Sequence, residues 1–124
     1  MAVHVVWFKR DLRITDHRPL LEAAAAGPVL PLYVHEPSRL RAPDHHVSHL
    51  AFVDECLDEL DGALRALGAP LHRCVGEIIE VLAEIHQHEG IASLWSHEET
   101  GNGLTFERDR AVARWCREQG IPWH

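Results

Sequence analysis

HVVWFKRDLRITDHRPLLEAAAAGPVLPLYV, residues His4 to Val34, decides the fold. HVVWF, His4 to Phe8, is a short run of apolar, β-branched and aromatic residues without polar alternation, the pattern of a strand buried on both faces. Asp16 to Ala26 (DHRPLLEAAAA) is alanine-rich and helix-forming, with Asp16 placed to cap the exposed N–H groups of its first turn. Gly27 suits the left-handed position after a helix, and Pro28 forbids continuation. PVLPLYV, Pro28 to Val34, then repeats the strand pattern. Strand, helix, strand in so short a stretch is a parallel crossover unit.

The same alternation continues. LHRCV (Leu71 to Val75) and IASLW (Ile91 to Trp95) are further short apolar runs. Between His49 and Leu67, apolar residues at Leu50, Val53, Leu57, Leu60, Leu64 and Leu67 recur at spacings of three and four, one stripe on the longest helix, which ends at Gly68. Ile78, Ile79, Leu82 and Ile85 mark a third helix up to Gly90. Phe106, Val112, Trp115 and Cys116 mark a fourth that stops at Gly120.

Strands alternating with helices predict an α/β fold: a Rossmann-like, doubly wound parallel sheet with helices on both faces, order 3-2-1-4-5. The last residues, Ile121 to His124, read as the opening of a truncated fifth strand, so that the sequence reads as cut. An edge left unpaired by that truncation predicts self-association.

At 124 residues and 14.0 kDa the chain is read as one domain, residues 1–124, able to bury roughly two-thirds of its unfolded surface. Its 46% hydrophobic and 25% charged residues lie near the globular average, against disorder or a coiled coil. No apolar run is long enough for a membrane span, and MAVHVVWFKRDLR places charges where a signal peptide needs its apolar stretch. Cys56, Cys74 and Cys116 form no CxxC pair and lie inside elements as small buried hydrophobes, so a reducing cytoplasm is the simplest compartment. A net charge of −7, with no basic stripe longer than Lys9, Arg10 and Arg13, argues against strong DNA binding by this domain alone. The 11 histidines make its surface field unusually sensitive to pH.

In a sheet of this order the switch point lies between strands one and four, and ligands sit beyond the carboxyl ends of those strands. Trp7 to Asp11, His35 with Glu36, and Ser96 to Glu99 therefore meet there. His35 and His97 are placed to contact a planar ligand. No GxGxxG follows strand one and no GxxxxGK[ST] occurs, so a phosphate cradle is not indicated. Asp44, His45, His46 and His49, or His86 with His88, hint at a metal, but the spacing lacks a distant third ligand; solvated histidines near helix ends are the favoured reading, with no metal site. Asp54, Asp58 and Asp61, like Glu77, Glu80 and Glu84, read as solvated helix faces, and no GxSxG nucleophile is present. No catalytic constellation stands out. Asp11, Arg13 and Asp16 can be read as fixing the turn after strand one through ion pairs and a cap.

WFKRDLRITDHRPL, Trp7 to Leu20, resembles the opening motif of the photolyase and cryptochrome family, VWFRxDLRxxDxxAL. Val6, Trp7, Phe8, Arg10, Asp11, Leu12, Arg13, Asp16 and Leu20 stand at matching positions, with Lys9 a departure. PVLPLYVHEP, the long helix starting near Ser48, and Phe106, Arg108, Asp109 and Val112, similar to the family's aromatic-x-R-D-x-x-V, extend the resemblance over essentially the whole chain.

The resemblance implies an amino-terminal antenna domain, followed in the family by a large helical domain that holds FAD and the DNA lesion. The full-length protein would be a deoxyribodipyrimidine photolyase, a carbon-carbon lyase repairing pyrimidine dimers by light-driven electron transfer from reduced flavin, or a cryptochrome photoreceptor. DNA would be met only through that full-length protein, and the partners of this domain would be the pigment and the helical FAD domain. An antenna needs fixed planar contacts rather than a base or a nucleophile. The pigment would be of deazaflavin, flavin or folate type. The deeper pocket used by deazaflavin and flavin antennae falls here on Phe8, Lys9, Arg10, Asp11, Leu12, His35, Ser48, His49, Phe52, His97 and Glu98. For folate, SHEETGNG after strand four offers Glu98 or Glu99 in place of the family's Asn-Glu-type pair. Two other classes stay open: a free-standing nucleotide-binding α/β protein, marked by a phosphate loop, and an interaction domain, marked by a large exposed apolar patch.

Overall fold

In the computed structural model, residues 2–9, 17–36, 47–96 and 103–124 are described, with 47–54 and 103–106 as backbone only. Four strands, β1 (Val3–Phe8), β2 (Val29–His35), β3 (His72–Val75) and β4 (Ile91–Trp95), form one parallel sheet of order β3-β2-β1-β4. The helices between them are α1 (Arg18–Ala26), α2 (Val47–Ala66), α3 (Ile78–His88) and α4 (Gly103–Gln119). The predicted doubly wound α/β architecture is present, with ends shifted by a few residues. Ile121–His124 lies along the outer edge of β4, where Trp123 forms a parallel bridge with Leu94. The Leu94 N–H donates to the Pro122 carbonyl at 2.8 Å and the His124 N–H to the Leu94 carbonyl at 2.9 Å. The fifth strand is thus begun in the expected place, as a bridge.

Strand period sends β1 to two cores. Val5 and Trp7 join Leu32, Val34 and Leu94 under α3 and α4, with Ile78, Leu82, Ile85, Val112 and Cys116 from the helices. Val6 and Phe8 face the other way, against Leu20 and Ala23 of α1 and Leu57, Leu60 and Leu64 of α2. Each such fully buried side chain contributes about 1.5–3 kcal/mol relative to exposure. Double-sided burial is why HVVWF reads as a continuous apolar run.

Several local expectations are corrected. α1 begins at Arg18, and its cap is His17, not Asp16: the Leu20 N–H donates to His17 Nδ1 at 3.1 Å, while Pro19 occupies the first turn, where a missing N–H costs nothing. Asp16 itself lies outside the described residues. Gly27 lies outside the αL well of a helix C-cap, yet its φ of 159° is one that L side chains rarely adopt, and a Cβ there would also stand 3.0 Å from His4 Nε2. Gly120 does adopt the left-handed conformation, φ 71°, and lets the Ile121 N–H donate back to the Cys116 carbonyl at 2.8 Å, which turns Ile121 into the core.

The leucine stripe of α2 closes differently from its periodicity. Leu67 is 65% exposed because the helix ends at Ala66 and the chain turns through Gly68; Leu71 takes the buried place instead. Asp61 fixes that turn, its carboxylate accepting from the Leu71 N–H at 3.0 Å and from Arg65 Nε at 3.0 Å. It is therefore more than a solvated acid. Of the three cysteines only Cys116 is buried; Cys56 and Cys74 are half-buried, and all three are free thiols. Among the described residues no helix is long and apolar enough to cross a membrane.

Two predictions arise from α2. Gly62 is exposed in mid-helix, and a methyl group added to its Cα would meet nothing within 4 Å, so Gly62→Ala is expected to stabilise the fold by about 0.5–1 kcal/mol, read as a higher urea midpoint at unchanged slope. The hydrogen bond from Arg65, then that from the Leu71 N–H, holds the Asp61 carboxyl below the usual carboxylate range. A lowered folded-state value means that this stabilisation is complete above the unfolded value of about 4 and is lost as pH falls through the folded one. Asp61→Asn should then show a shallower loss of stability below about pH 4 than the parent; parallel acid limbs would contradict it.

Candidate functional site

The carboxyl ends of β1, β2 and β4 carry charged residues in phase with buried ones. Lys9 continues the Val5, Trp7 face of β1, and Glu36 continues the Leu32, Val34 face of β2. Both are buried, and both are met by α4. Arg108 donates from its terminal nitrogen to Glu36 Oε1 at 2.9 Å, with side chains only 7% and 4% exposed. Lys9 Nζ, its side chain 3% exposed, pairs with Asp109 Oδ2 at 3.2 Å, and Arg108 Nε reaches Asp109 Oδ1 at 3.1 Å. Two cations and two carboxylates thus form one compact cluster with no net charge.

The cluster is built around indoles. Lys9 Nζ lies 4.5 Å from the Trp7 ring centre and 5.6 Å from that of Trp123, and the Arg108 guanidinium carbon lies 4.8 Å from Trp7. Trp7 and Trp123 are 6.2 Å apart, tilted by 36°. Cation–π attraction offsets part of the cost of taking the cations out of water. Trp123 Nε1 in turn donates to Ser96 Oγ at 2.9 Å, tying Ile121–His124 to the end of β4.

The expected pocket residues divide between the two faces. Lys9 belongs to the α4 side, held by Asp109. Phe8 is fully buried on the α1 and α2 side, its ring 4.7 Å from His17. His35 is half-buried at the end of β2 with its ring edge-on to Tyr33 at 4.9 Å. Ser48, His49 and Phe52 lie in the first turns of α2, which are described as backbone only. Arg10, Asp11, Leu12, His97 and Glu98 lie outside the described residues.

Of the other chemistry suggested by the sequence, Asp44, His45 and His46 lie outside the described residues and His49 is described as backbone only, while three residues have local roles. His86 Nδ1 accepts from the Ile91 N–H at 3.0 Å and its ring meets Trp115 edge-on, so this histidine ends α3. Ser93, hydrogen-bonded to His4, also accepts from Trp95 Nε1 at 2.6 Å and is buried in the sheet, which makes it a tie between β1 and β4. Burial pushes the Cys116 thiol up to about 11, so it is no nucleophile at neutral pH.

The sequence placed Glu36 at the switch point but gave it no partner, and it did not bring Arg108, Asp109 or Trp123 there. A signal was present: Lys9 and Glu36 fall in phase with strand faces that are otherwise apolar, and a charge in that position needs a partner from the helix above.

Comparison with known proteins places the chain in one family. The family model described as DNA photolyase matches residues 4–124. Deoxyribodipyrimidine photo-lyase of Salmonella typhimurium is 40% identical over 73 residues, 57% of this chain and 15% of that protein. Cryptochrome-1 of Erithacus rubecula is 30% identical over 121 residues, 97% of this chain and 19% of that protein. The solved archaeal photolyase from Sulfolobus tokodaii, described as holding two FAD molecules and implying a novel light-harvesting cofactor, superposes with a TM-score of 0.85 at 25% identity, covering 97% of this chain and 28% of that one. The chain therefore spans less than a third of each of these proteins. Three stretches of the resemblance meet in the fold, through Lys9 at the end of β1, itself a departure from the opening motif, Glu36 of PVLPLYVHEP and the Arg108-Asp109 pair of α4, and the chain belongs to the DNA photolyase family, matching its amino-terminal α/β domain.

Proposed function

We propose that this chain is a light-harvesting pigment module of a photolyase-like flavoprotein. The observation that carries the reading is the family match over residues 4–124 on a sheet of order β3-β2-β1-β4, whose switch point puts a crevice at the ends of β1 and β4. Such a module binds and orients a pigment at fixed distance from a redox flavin and performs no bond chemistry itself. The contacts assigned to the pigment are Phe8, Lys9, Arg10, Asp11, Leu12, His35, Ser48, His49, Phe52, His97 and Glu98. The pigment is a deazaflavin, a flavin or a reduced folate, and the neighbour described with a second FAD supports the flavin class.

The full-length protein would add a helical FAD domain, bind DNA through it, and repair pyrimidine dimers in light. The match to Cryptochrome-1 over nearly all of the chain supports a second reading, a photoreceptor built on the same module. Cytoplasmic location is part of the same proposal. Self-association through the outer edge of Ile121–His124 is a further expectation, measured by light scattering across a concentration series; a constant monomer mass contradicts it.

Equilibrium dialysis of the chain against 5-deazariboflavin, FMN and methenyltetrahydrofolate, with absorbance and fluorescence of the retained fraction, tests the pigment reading. Saturable binding of one member with a shifted spectrum is the expected result. Retention of none of the three overturns it.

A further inference from the structure

The cluster of Lys9, Glu36, Arg108 and Asp109 poses a question of purpose. Breaking a buried ion pair is costly, yet replacing a whole pair by apolar groups of similar volume is often neutral or stabilising. Stability alone is therefore a weak reason to keep three buried charges and the partly exposed Asp109 together at the end of the sheet. What hydrogen-bonded charges add over apolar contact is direction: a guanidinium fork is satisfied in few orientations, whereas apolar packing is non-directional.

The cluster also bears on the orientation of α4. Among the described residues of that helix the buried apolar side chains are Val112 and Cys116, one and two turns further along. Across residues 107–110 the helix is tied to the sheet by polar contacts, Arg108 to Glu36 at the end of β2 and Asp109 to Lys9 at the end of β1. Arg108 holds Asp109 as well, so the two ties move together.

We infer that the Glu36–Arg108 pair, with Lys9 and Asp109, is a positioning device that fixes the first half of α4 against the ends of β1 and β2 and so sets the geometry of the crevice for a planar ligand. The positioning step stands on the cluster alone; its consequence for the ligand rests on the pigment reading above. None of the four side chains is a catalytic residue. Arg108 and Glu36 act through the helix and strand that they join.

The test is the double variant Glu36→Leu/Arg108→Met, which removes one charge of each sign and leaves Lys9 paired with Asp109. Either single variant removes one member of a buried ion pair and unbalances the charge of the cluster, and is unsuitable for this purpose. Amide hydrogen exchange is compared with the parent over α3 and α4, together with the thermal midpoint. The expected result is exchange at least tenfold faster for amides of 107–112, unchanged protection in α3, and a midpoint within a few degrees of the parent. Uniformly faster exchange in α3 and α4 with a lowered midpoint would mean that the pair merely stabilises the fold, and unchanged exchange would mean that it positions nothing; either overturns the inference.

FMN binding supplies the second arm. The double variant is expected to bind FMN at least tenfold more weakly than the parent and to lose the induced circular dichroism of the flavin. Parent-like binding and dichroism in a variant whose α4 has loosened overturn the link to the ligand. If the parent retains no pigment, the pigment reading fails, while the exchange result still decides whether the cluster positions α4.

Discussion

Arg108→Met alone is expected to destabilise the fold by roughly 3–5 kcal/mol, the usual cost of breaking a buried ion pair by removing one member. Glu36 is 4% exposed and loses the guanidinium 2.9 Å away, while Asp109 loses one of its two cations. A domain of this size typically has only about 5–15 kcal/mol in hand. Urea denaturation of the single and double variants checks the expectation. Restoring most of the loss by adding Glu36→Leu identifies the cost as an unpaired charge; an additive double variant identifies it as lost packing of the guanidinium on Trp7.

Phe8→Ala should cost a similar amount, about 3–5 kcal/mol, for a different reason. The ring is fully buried between the sheet and the leucines of α2, touches the ring of His17, and has no polar atom to satisfy. Its removal leaves a cavity beneath the cap of α1, so helix α1 is expected to loosen first. Any fall in pigment binding by this variant has to be divided by its folded fraction before Phe8 is credited with a contact. Phe8→Leu, which keeps most of the volume, is expected to recover most of the stability; a loss below about 1 kcal/mol for Phe8→Ala contradicts this placement.

Much of the fold was legible because burial on two faces leaves a simple trace. HVVWF, PVLPLYV and IASLW are apolar at consecutive positions, and the sheet that buries them from both sides was therefore predictable together with its strand order. The stub at Ile121–His124 was legible from Gly120 and the β-prone residues after it. What failed were features decided by tertiary contact. Leu67 has the right spacing for the α2 stripe, but its helix stops one residue earlier, and Asp61 draws Leu71 into the vacated place. The cap of α1 falls on His17, a residue type that is not a favoured cap, whose ring is also buried against Phe8.

The site was legible by topology and less so by chemistry. The switch-point rule brought together the ends of β1, β2 and β4, and Lys9 and Glu36 are there. Their partners come from α4, 72 and 100 residues away in the chain, and no local pattern announces a pairing at that distance. Strand alternation also separates neighbours that sequence treats as one cluster, since Phe8 and Lys9 lie on opposite faces of the sheet.

The central claim, that the crevice at the carboxyl ends of β1, β2 and β4 holds a light-harvesting pigment, is tested most directly by mapping where a bound flavin protects the backbone. Hydrogen exchange of the chain, with and without saturating FMN, should show slowed exchange at residues 8–12, 35–36, 48–52 and 97–98, and little change in β3 and α3. Protection confined to β3 and α3, or none at a flavin concentration that saturates retention, would contradict it.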